Sequence, residues 1–180
     1  MEEKRRTIII IAMKYLVFSD LHGSMRGLRY LQDAVKREKP DLLLCLGDIL
    51  YGAGDQDATK CAKGLKEIGV PILAVRGNCD YREDENLLGF ELPDMRSLSR
   101  GMHEIHLNHR PINLSLPAGD FLIHGHTHYK YVYKEGGVTR MNPGSIALPR
   151  DDCPSYAIMD ENIIELVNAL NGKRIQTFEL

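Results

Sequence analysis

Apolar residues in the first half of the chain form short continuous runs separated by stretches with helical spacing. The runs predict buried strands at 15–18, 42–46 and 72–75. Between them, apolar residues three or four positions apart predict one helix that begins after Gly23-Ser24 and another that ends near Gly69. Strand, helix, strand, helix, strand in this order is typical of parallel crossover units.

The second half of the chain is predicted to consist mostly of strands. They are expected at 102–107, 121–124, 129–134, 138–141, 156–159, 163–170 and 174–178, with hairpin turns at Gly136-Gly137 and Asn171-Gly172. The connection 108–120 contains two prolines and a glycine and is too short for a full helix, so we expect an open loop there. Because nothing resembles an interdomain linker, residues 1–180 are expected to form a single domain.

Composition and charge narrow the class of protein. A hydrophobic content of 43% over 180 residues suits one domain with a sizeable core. The net charge is −2 and the basic residues are scattered, so no surface for duplex nucleic acid is expected. The four cysteines lack C-x-x-C spacing, which favours reduced thiols and a cytoplasmic protein. No apolar stripe reveals the oligomeric state, and a homo-oligomer stays open.

Residues 1–12 are interpreted as an N-terminal extension, with translation starting at Met1 or at Met13. The basic and apolar residues of this stretch resemble a signal peptide, but Lys14 interrupts the apolar run and no small-residue cleavage site follows. The run is also too short to span a bilayer. We therefore expect no membrane association.

Polar signatures follow the predicted strands in a fixed order. They are Asp20-Leu21-His22, Gly47-Asp48, Gly77-Asn78 and Gly125-His126-Thr127-His128. Side chains that follow parallel strands gather at one edge of a sheet. Carboxylates, an amide oxygen and imidazoles form a mixed oxygen and nitrogen ligand set, which suits first-row divalent ions. The sequence therefore predicts a metal site at the edge of the sheet.

With these motifs the chain resembles the calcineurin-like metallophosphoesterases, in particular their small YfcE-like phosphodiesterase branch. The motifs that carry the resemblance are Phe18-Ser19-Asp20-Leu21-His22-Gly23-Ser24, Leu46-Gly47-Asp48, Val75-Arg76-Gly77-Asn78-Cys79-Asp80, Gly125-His126-Thr127-His128 and Asn142-Pro143-Gly144-Ser145. The resemblance implies an α/β (α+β) fold, a four-layer αββα sandwich of two mixed β-sheets flanked by helices. It also implies a dinuclear metal centre at which a metal-bridging hydroxide attacks a small phosphodiester.

The resemblance also assigns the ligands of the two divalent ions, for which manganese is favoured and zinc, iron, nickel or cobalt would also fit. One ion would be held by Asp20, His22, Asp48 and His128, and the other by Asp48, Asn78, His126 and one further histidine. The residues grouped as catalytic are Asp48, Asn78, Cys79 and Asp80. A carboxylate that bridges two cations, together with neutral ligands, would leave the centre positive and attractive to phosphate.

The further histidine is where this sequence departs from the family, which usually has Thr-His-Gly-His at the corresponding strand end. Two registers compete here. With Ile105 and Leu107 pointing inward, His109 falls just past the strand end, whereas a shift by two residues would put Leu107 at the ligand position. Strand alternation favours His109. Pro111 replaces the second histidine of the motif.

Several other residues near the motifs are expected to affect reactivity or structure without binding metal. Because Cys79 follows the asparagine where the wider superfamily has a histidine, substrates with good leaving groups, such as aryl phosphodiesters, are expected to react fastest. His103 and His106 are interpreted as ordinary strand residues, and His124 is expected to face away from the metals. The loop 142–145 is either a tight turn or a loop that lines the site.

A rival function belongs to another class, a non-catalytic protein-binding scaffold like the retromer's small subunit. That scaffold resembles this fold with degraded ligands, whereas Asp20, His22, Asp48, Asn78, His126 and His128 are retained here. A nuclease is disfavoured because the chain lacks an extended basic surface.

Overall fold

The structure is a computed structural model that describes residues 13–52 and 56–180. The predicted N-terminal extension, 1–12, lies outside the described residues. The elements are β1 (Tyr15–Phe18), α1 (Met25–Glu38), β2 (Leu42–Cys45), α2 (Ala58–Lys66), β3 (Ile72–Ala74), α3 (Asp84–Leu88), β4 (Met95–Arg100), β5 (His103–Asn108), β6 (Phe121–His124), β7 (Lys130–Glu135), β8 (Val138–Pro143), β9 (Ser155–Met159), β10 (Ile163–Asn168) and β11 (Arg174–Glu179).

The strands form two mixed sheets. The first has six strands in the order β11-β10-β9-β1-β2-β3, in which β1, β2 and β3 are parallel and β9, β10 and β11 extend the sheet antiparallel. The second has the order β4-β5-β6-β8-β7, with β5, β6 and β8 parallel. The predicted crossover units and both predicted hairpins, β7–β8 and β10–β11, are confirmed.

Two apolar clusters divide the core into layers. Because strand side chains alternate between faces, Leu16 and Phe18 of β1 pack with the helices, while Tyr15 and Val17 face the second sheet. The cluster between the sheets also contains Ile105 and Leu107 of β5. The centre of the first sheet, β1, β2 and β9, is therefore buried on both faces, as its continuous apolar strands require.

Helix α1 begins as the sequence predicts. Ser24 is the N-cap, and its hydroxyl accepts a hydrogen bond of 3.0 Å from the backbone N–H of Gly27. The buried face carries Leu28 and Leu31. The cap directly follows the Asp20–His22 segment, so the helix anchors that segment at the edge of the sheet.

The sequence interpretation missed two elements, α3 and β4. Helix α3 has five residues, too few for a helical pattern to emerge. Strand β4 is a polar edge strand whose residues alternate between half-buried and exposed, and it forms because it pairs antiparallel with β5, with Leu98 opposite Ile105. Tertiary pairing created this strand, since its own residues have little strand propensity.

The two mixed sheets and the helices packed against them are as predicted. All three described helices pack against the first sheet, so within the described residues no helical layer covers the outer face of the second. The connection from β5 to β6, residues 109–120, contains no helix, as expected from its prolines. Since the inner face of the second sheet is filled by the apolar cluster, this loop crosses the outer face. Among the described residues, no helix is long and apolar enough to cross a membrane.

Candidate metal centre

The loops at one edge of the sandwich hold unusual backbone conformations. Six non-glycine residues in the described ranges have a left-handed backbone, and five of them carry predicted ligands. These five are Asp20 (φ 56°), His22 (φ 53°), Asp48 (φ 53°), His126 (φ 66°) and His128 (φ 64°). Such conformations cost about 1 to 3 kcal/mol each and concentrate at functional sites. The left-handed conformation turns each short loop so that the five side chains converge on one region.

Close backbone approach explains the glycines of two motifs. A Cβ built on Gly77 would lie 2.1 Å from both the backbone nitrogen and Oδ1 of Asp48, and one on Gly125 would lie 1.9 Å from Oγ of Ser19. A side chain at either position would push the strand ends apart. The Gly-Asn and Gly-His pairs therefore serve packing as well as turn geometry.

One half of the site contains Asp20, His22 and His128. The Oδ1 atom of Asp20 lies 3.3 Å from Nε2 of His128 and 3.9 Å from Nε2 of His22, and the two Nε2 atoms are 3.4 Å apart. Asp20 is fully buried, and its Oδ1 atom has no hydrogen-bond partner within the described residues. Its other oxygen accepts a hydrogen bond from the backbone N–H of His126.

Backbone carbonyls fix the direction of three imidazole rings. The Nδ1 atoms of His22, His109 and His128 lie 2.6, 2.7 and 2.6 Å from the carbonyl oxygens of Tyr51, Leu46 and Leu148. Because a carbonyl only accepts, each Nδ1 carries the proton and each Nε2 presents a lone pair to the site. This is the usual orientation of metal-binding histidines.

The other half contains Asp48, Asn78, His109 and His126. Nε2 of His109 lies 3.4 Å from Oδ2 of Asp48, 3.0 Å from Oδ1 of Asn78 and 3.2 Å from Nδ1 of His126. The same Oδ2 of Asp48 is 3.8 Å from Nε2 of His22. Asp48 therefore stands between the two halves and faces both.

His109 lies at the edge of the sheet, and Leu107 lies in the core between the sheets. Leu107 is fully buried among apolar residues, while β5 ends at Asn108 and the chain then turns His109 toward Asp48. This is the register with Ile105 and Leu107 inward. The structure thus brings all seven residues predicted as ligands into one region: Asp20, His22, Asp48, Asn78, His109, His126 and His128.

The donor set fits divalent ions. Around Nε2 of His109, Oδ2 of Asp48, Oδ1 of Asn78 and Nδ1 of His126 converge, and the unpartnered Oδ1 of Asp20 faces two further imidazoles. Buried carboxylate, amide and imidazole groups in such proximity are stabilised when a cation lies between them. Among the described residues, three groups have donor atoms within 4.8 Å of one another: Asp20, His22 and His128; His22, Asp48 and Cys79; and Asp48, His109 and His126.

The mutual contacts shift the pKa values of these side chains. Burial raises the pKa of Asp48, but the neighbouring His109 imidazole and the hydrogen bond from the Cys79 backbone N–H outweigh it and lower the pKa to about 2. Burial lowers the pKa of His109 and of His128, yet the carboxylates of Asp48 and Asp20 raise both above the usual value. Asp48 is thus ionised over the whole physiological range.

Asp80 holds the loops and does not face the ligands. Its carboxylate accepts hydrogen bonds from the backbone N–H groups of Asp48, Gly77 and Ile49 at 2.8, 2.8 and 2.7 Å. Both oxygens are therefore occupied, and the residue is 7% exposed. The geometry makes Asp80 a positioning residue, whereas the resemblance groups it with the catalytic residues. The difference arises because both oxygens of this buried carboxylate accept hydrogen bonds from backbone N–H groups of the loops.

Cys79 contacts Asp48 through its backbone. The N–H of Cys79 donates a hydrogen bond of 2.7 Å to Oδ1 of Asp48. Burial and the charge of Asp48 raise the pKa of the Cys79 thiol to about 11, so the thiol stays protonated at neutral pH. The four cysteines are free thiols.

The end of β8 and the loop after it hold the ligand loops in place through hydrogen bonds. Asn142 donates hydrogen bonds of 2.8 Å to the carbonyl of Gly125 and 3.0 Å to Oγ1 of Thr127, and Ser145 donates one of 2.9 Å to the carbonyl of Asp20. His124 is buried beside this loop, where its ring bonds to the carbonyl of Gly125 and to the Tyr131 hydroxyl. His124 thus faces away from the ligand cluster.

Sequence reasoning missed the carbonyls of Tyr51 and Leu148 and the hydroxyl of Tyr131. The carbonyls leave no trace in side-chain identity, so no signal could have revealed them. The Asn-Pro-Gly-Ser tetrapeptide was the one available sign that a loop supports the site.

Comparison with known proteins agrees with the geometry. The family model of the calcineurin-like phosphoesterase superfamily domain matches residues 13–162. Phosphodiesterase YfcE of Escherichia coli K12 is 31% identical over 177 residues, covering 91% of this chain and 95% of that protein. The structure of YfcE, a phosphoesterase from E. coli, superposes with a TM-score of 0.84 at 27% identity, covering 92% of this chain and 98% of that one.

A more distant structure shows the fold alone. Vacuolar Protein Sorting 29 from Cryptosporidium parvum superposes with a TM-score of 0.68 at 21% identity, covering 94% of this chain and 98% of that one. With its matching domain, its relatives and its cluster of oxygen and nitrogen donors, this chain belongs to the calcineurin-like phosphoesterase superfamily.

Proposed function

We propose that this protein is a phosphodiesterase that hydrolyses small phosphodiesters with two divalent metal ions. The observation that carries the proposal is the position of Asp48. Its Oδ2 atom lies 3.8 Å from Nε2 of His22 and 3.4 Å from Nε2 of His109, so one carboxylate faces both sets of donors. The sequence relationship to phosphodiesterase YfcE supports the same activity.

The ligands divide as the resemblance implies. One ion would be held by Asp20, His22, Asp48 and His128, and the other by Asp48, Asn78, His109 and His126. When bound, the two ions supply Lewis-acid stabilisation of the phosphoryl oxygens and activate water as the nucleophile. Because Asp20 and Asp48 are the two carboxylates among these ligands, the loaded centre keeps a net positive charge that attracts a phosphodiester.

Groups of the protein itself would orient the metal ligands and influence protonation of the leaving group. The backbone carbonyls behind His22, His109 and His128 hold the rings in the tautomer that binds metal. Beside Asn78 stands the Cys79 thiol, whose pKa of about 11 makes it a weak proton donor at neutral pH. Aryl esters, whose leaving groups need no protonation, should therefore be hydrolysed faster than alkyl esters.

Further parts of the proposal rest on the sequence. Manganese is the favoured ion, and zinc, iron, nickel or cobalt would also suit the ligands. Residues 1–180 would act as one domain, because the two sheets share an apolar cluster. We propose a cytoplasmic enzyme that acts on small molecules and not on duplex nucleic acid. Homo-oligomerisation stays open.

The first test compares Asp48→Asn with the wild type. Metal content and hydrolysis of bis(p-nitrophenyl) phosphate are measured with added manganese. We expect tight metal binding and turnover in the wild type, and a loss of about 1000-fold or more in turnover for Asp48→Asn, because an amide cannot bridge two cations. The matched control is Asp33→Asn on the exposed face of α1, which should keep full activity.

Two outcomes contradict the proposal. A purified protein that binds no metal and hydrolyses none of these esters would favour the alternative, a protein-binding scaffold of the same fold. Equal activity in Asp48→Asn and the wild type would rule out the bridging role of Asp48.

A further inference from the structure

A cavity of about 340 Å³ opens beside one half of the metal centre. Two of its lining residues, Asn78 and His109, belong to the ligand cluster, and their facing atoms are 3.0 Å apart. A phosphoryl group bound at the centre would thus lie beside this cavity, and one of its ester substituents could enter it. The volume suits a small ring, since ligand pockets begin at about 300 Å³.

The lining away from the metal centre combines apolar side chains with one unpaired cation. Met95 of β4 and Ile112 of the loop 109–120 supply the apolar part. Arg76 is paired with Glu85 at 3.0 Å and with Asp94 at 3.5 Å. Within the described residues, the Arg110 guanidinium makes no ion pair, and the residue is exposed at the rim.

Asn108 orders one wall of this cavity. Asn108 is 3% exposed and lines the cavity, and across the β4–β5 ladder it lies opposite Met95. Its amide nitrogen donates to the carbonyl of Arg110, which orders the loop. Its Oδ1 atom is buried and has no hydrogen-bond partner within the described part of the chain.

We infer that this cavity is a specificity pocket that takes an aromatic ring on the phosphodiester substrate. Thioether sulfur and guanidinium groups both interact favourably with aromatic rings, and Ile112 supplies apolar contact. The inference rests on the proposed function and narrows it to aryl or nucleoside diesters.

The test measures binding and not turnover. Titration calorimetry on manganese-loaded protein compares methylphosphonate with phenylphosphonate, which share the group that binds metal and differ in the ring. We expect phenylphosphonate to bind about tenfold more tightly, because burying one ring face is worth on the order of one decade of affinity. In Ile112→Ser the ratio should fall to about twofold or less, with methylphosphonate affinity unchanged.

The matched control is Ile175→Ser. Ile175 is 40% exposed on β11, outside the cavity, so this variant should keep the wild-type ratio. Equal affinity for the two phosphonates in the wild type, or an equal loss for both in Ile112→Ser, would overturn the pocket while leaving the phosphodiesterase proposal intact. If neither phosphonate binds, the metal centre itself does not take phosphoryl groups and both proposals fail.

A second arm identifies the source of the ring. Adenosine 5′-monophosphate carries its ring farther from phosphorus than phenylphosphonate does. Tighter binding of the nucleotide, weakened in Ile112→Ser, assigns the pocket to a nucleoside. Tighter binding of phenylphosphonate with the same dependence assigns it to an aryl ester.

Discussion

At the scale of single residues, the site depends on backbone conformations that most side chains avoid. Asp20, His22 and Asp48 all have a left-handed backbone, and each follows a strand whose last three residues are buried. The strain is held because the backbone N–H groups of His22 and Gly23 donate to the carbonyls of Asp48 and Ile49 at 2.8 and 2.7 Å. The two strand ends thus hold each other in the conformation that directs the ligands inward.

Gly77→Ala should damage this arrangement. The new Cβ would lie 2.1 Å from the backbone nitrogen and Oδ1 of Asp48, so the Asp48 loop must move. We expect a loss of about 3 kcal/mol in the free energy of unfolding and at least about a tenfold loss of manganese affinity. Urea unfolding and titration calorimetry measure the two effects.

Gly69→Ala is the control for Gly77→Ala. Gly69 has φ 75° with no atom within 4 Å of a built Cβ, so only backbone strain of about 1 kcal/mol is expected. Unchanged metal affinity in both variants would show that the approach of Gly77 to Asp48 does not position the ligand.

At the scale of elements, alternation along β5 separates structural from ligand positions. Ile105 and Leu107 face the other sheet, and His109 follows after the strand ends. The apolar runs and the helix cap predicted most elements, because each of those segments carries its own burial pattern. Strand β4 could not be predicted, since its partner β5 alone makes it a strand.

Leu107→Ala and His109→Ala should therefore affect different properties. Truncating the fully buried Leu107 leaves a cavity and should cost about 3 kcal/mol in the free energy of unfolding, with metal affinity largely kept. His109→Ala should cost only about 1 kcal/mol but lower manganese affinity about 100-fold. Denaturant unfolding and calorimetry of both variants check this. The opposite division would favour the shifted register, with Leu107 at the ligand position.

At the scale of the whole molecule, a partly buried ion-pair network joins the end of α1 to the far edge of the first sheet. Glu38 accepts hydrogen bonds of 2.7 and 2.9 Å from the guanidinium of Arg174 on β11 and one of 2.9 Å from the Tyr156 hydroxyl on β9. Burial raises the pKa of Glu38, but these hydrogen bonds outweigh it and lower the pKa below its ordinary value. Glu38 thus connects segments far apart in the chain.

Glu38→Gln should destabilise the protein in a pH-dependent way. Because the folded pKa is lowered, the carboxylate stabilises the fold above its ordinary pKa of about 4.3, and this stabilisation is lost as the pH falls through the lowered value. We expect Glu38→Gln to lower the free energy of unfolding by about 2 kcal/mol relative to the wild type at pH 7. This difference should become smaller at about pH 3.

Thermal unfolding of both proteins across this pH range checks the prediction for Glu38. Glu67→Gln, an exposed residue paired with Lys63, should change stability by less than about 0.5 kcal/mol at any pH. A destabilisation of Glu38→Gln that stays constant from pH 7 to pH 3 would mean that the Glu38 charge does not stabilise the fold.

The sequence by itself determined the order of the buried strands, the cap of α1 and the chemistry of the candidate ligands. These features depend on local runs of residues, so Asp20, Asp48 and Asn78 could be identified from their positions after apolar strands. The tertiary structure alone decided that His109 contacts Asp48, that backbone carbonyls orient the imidazoles and that the Asp80 carboxylate accepts hydrogen bonds from loop amides. All of these contacts join segments distant in the chain, and the last two run through backbone atoms, which side-chain identity does not encode.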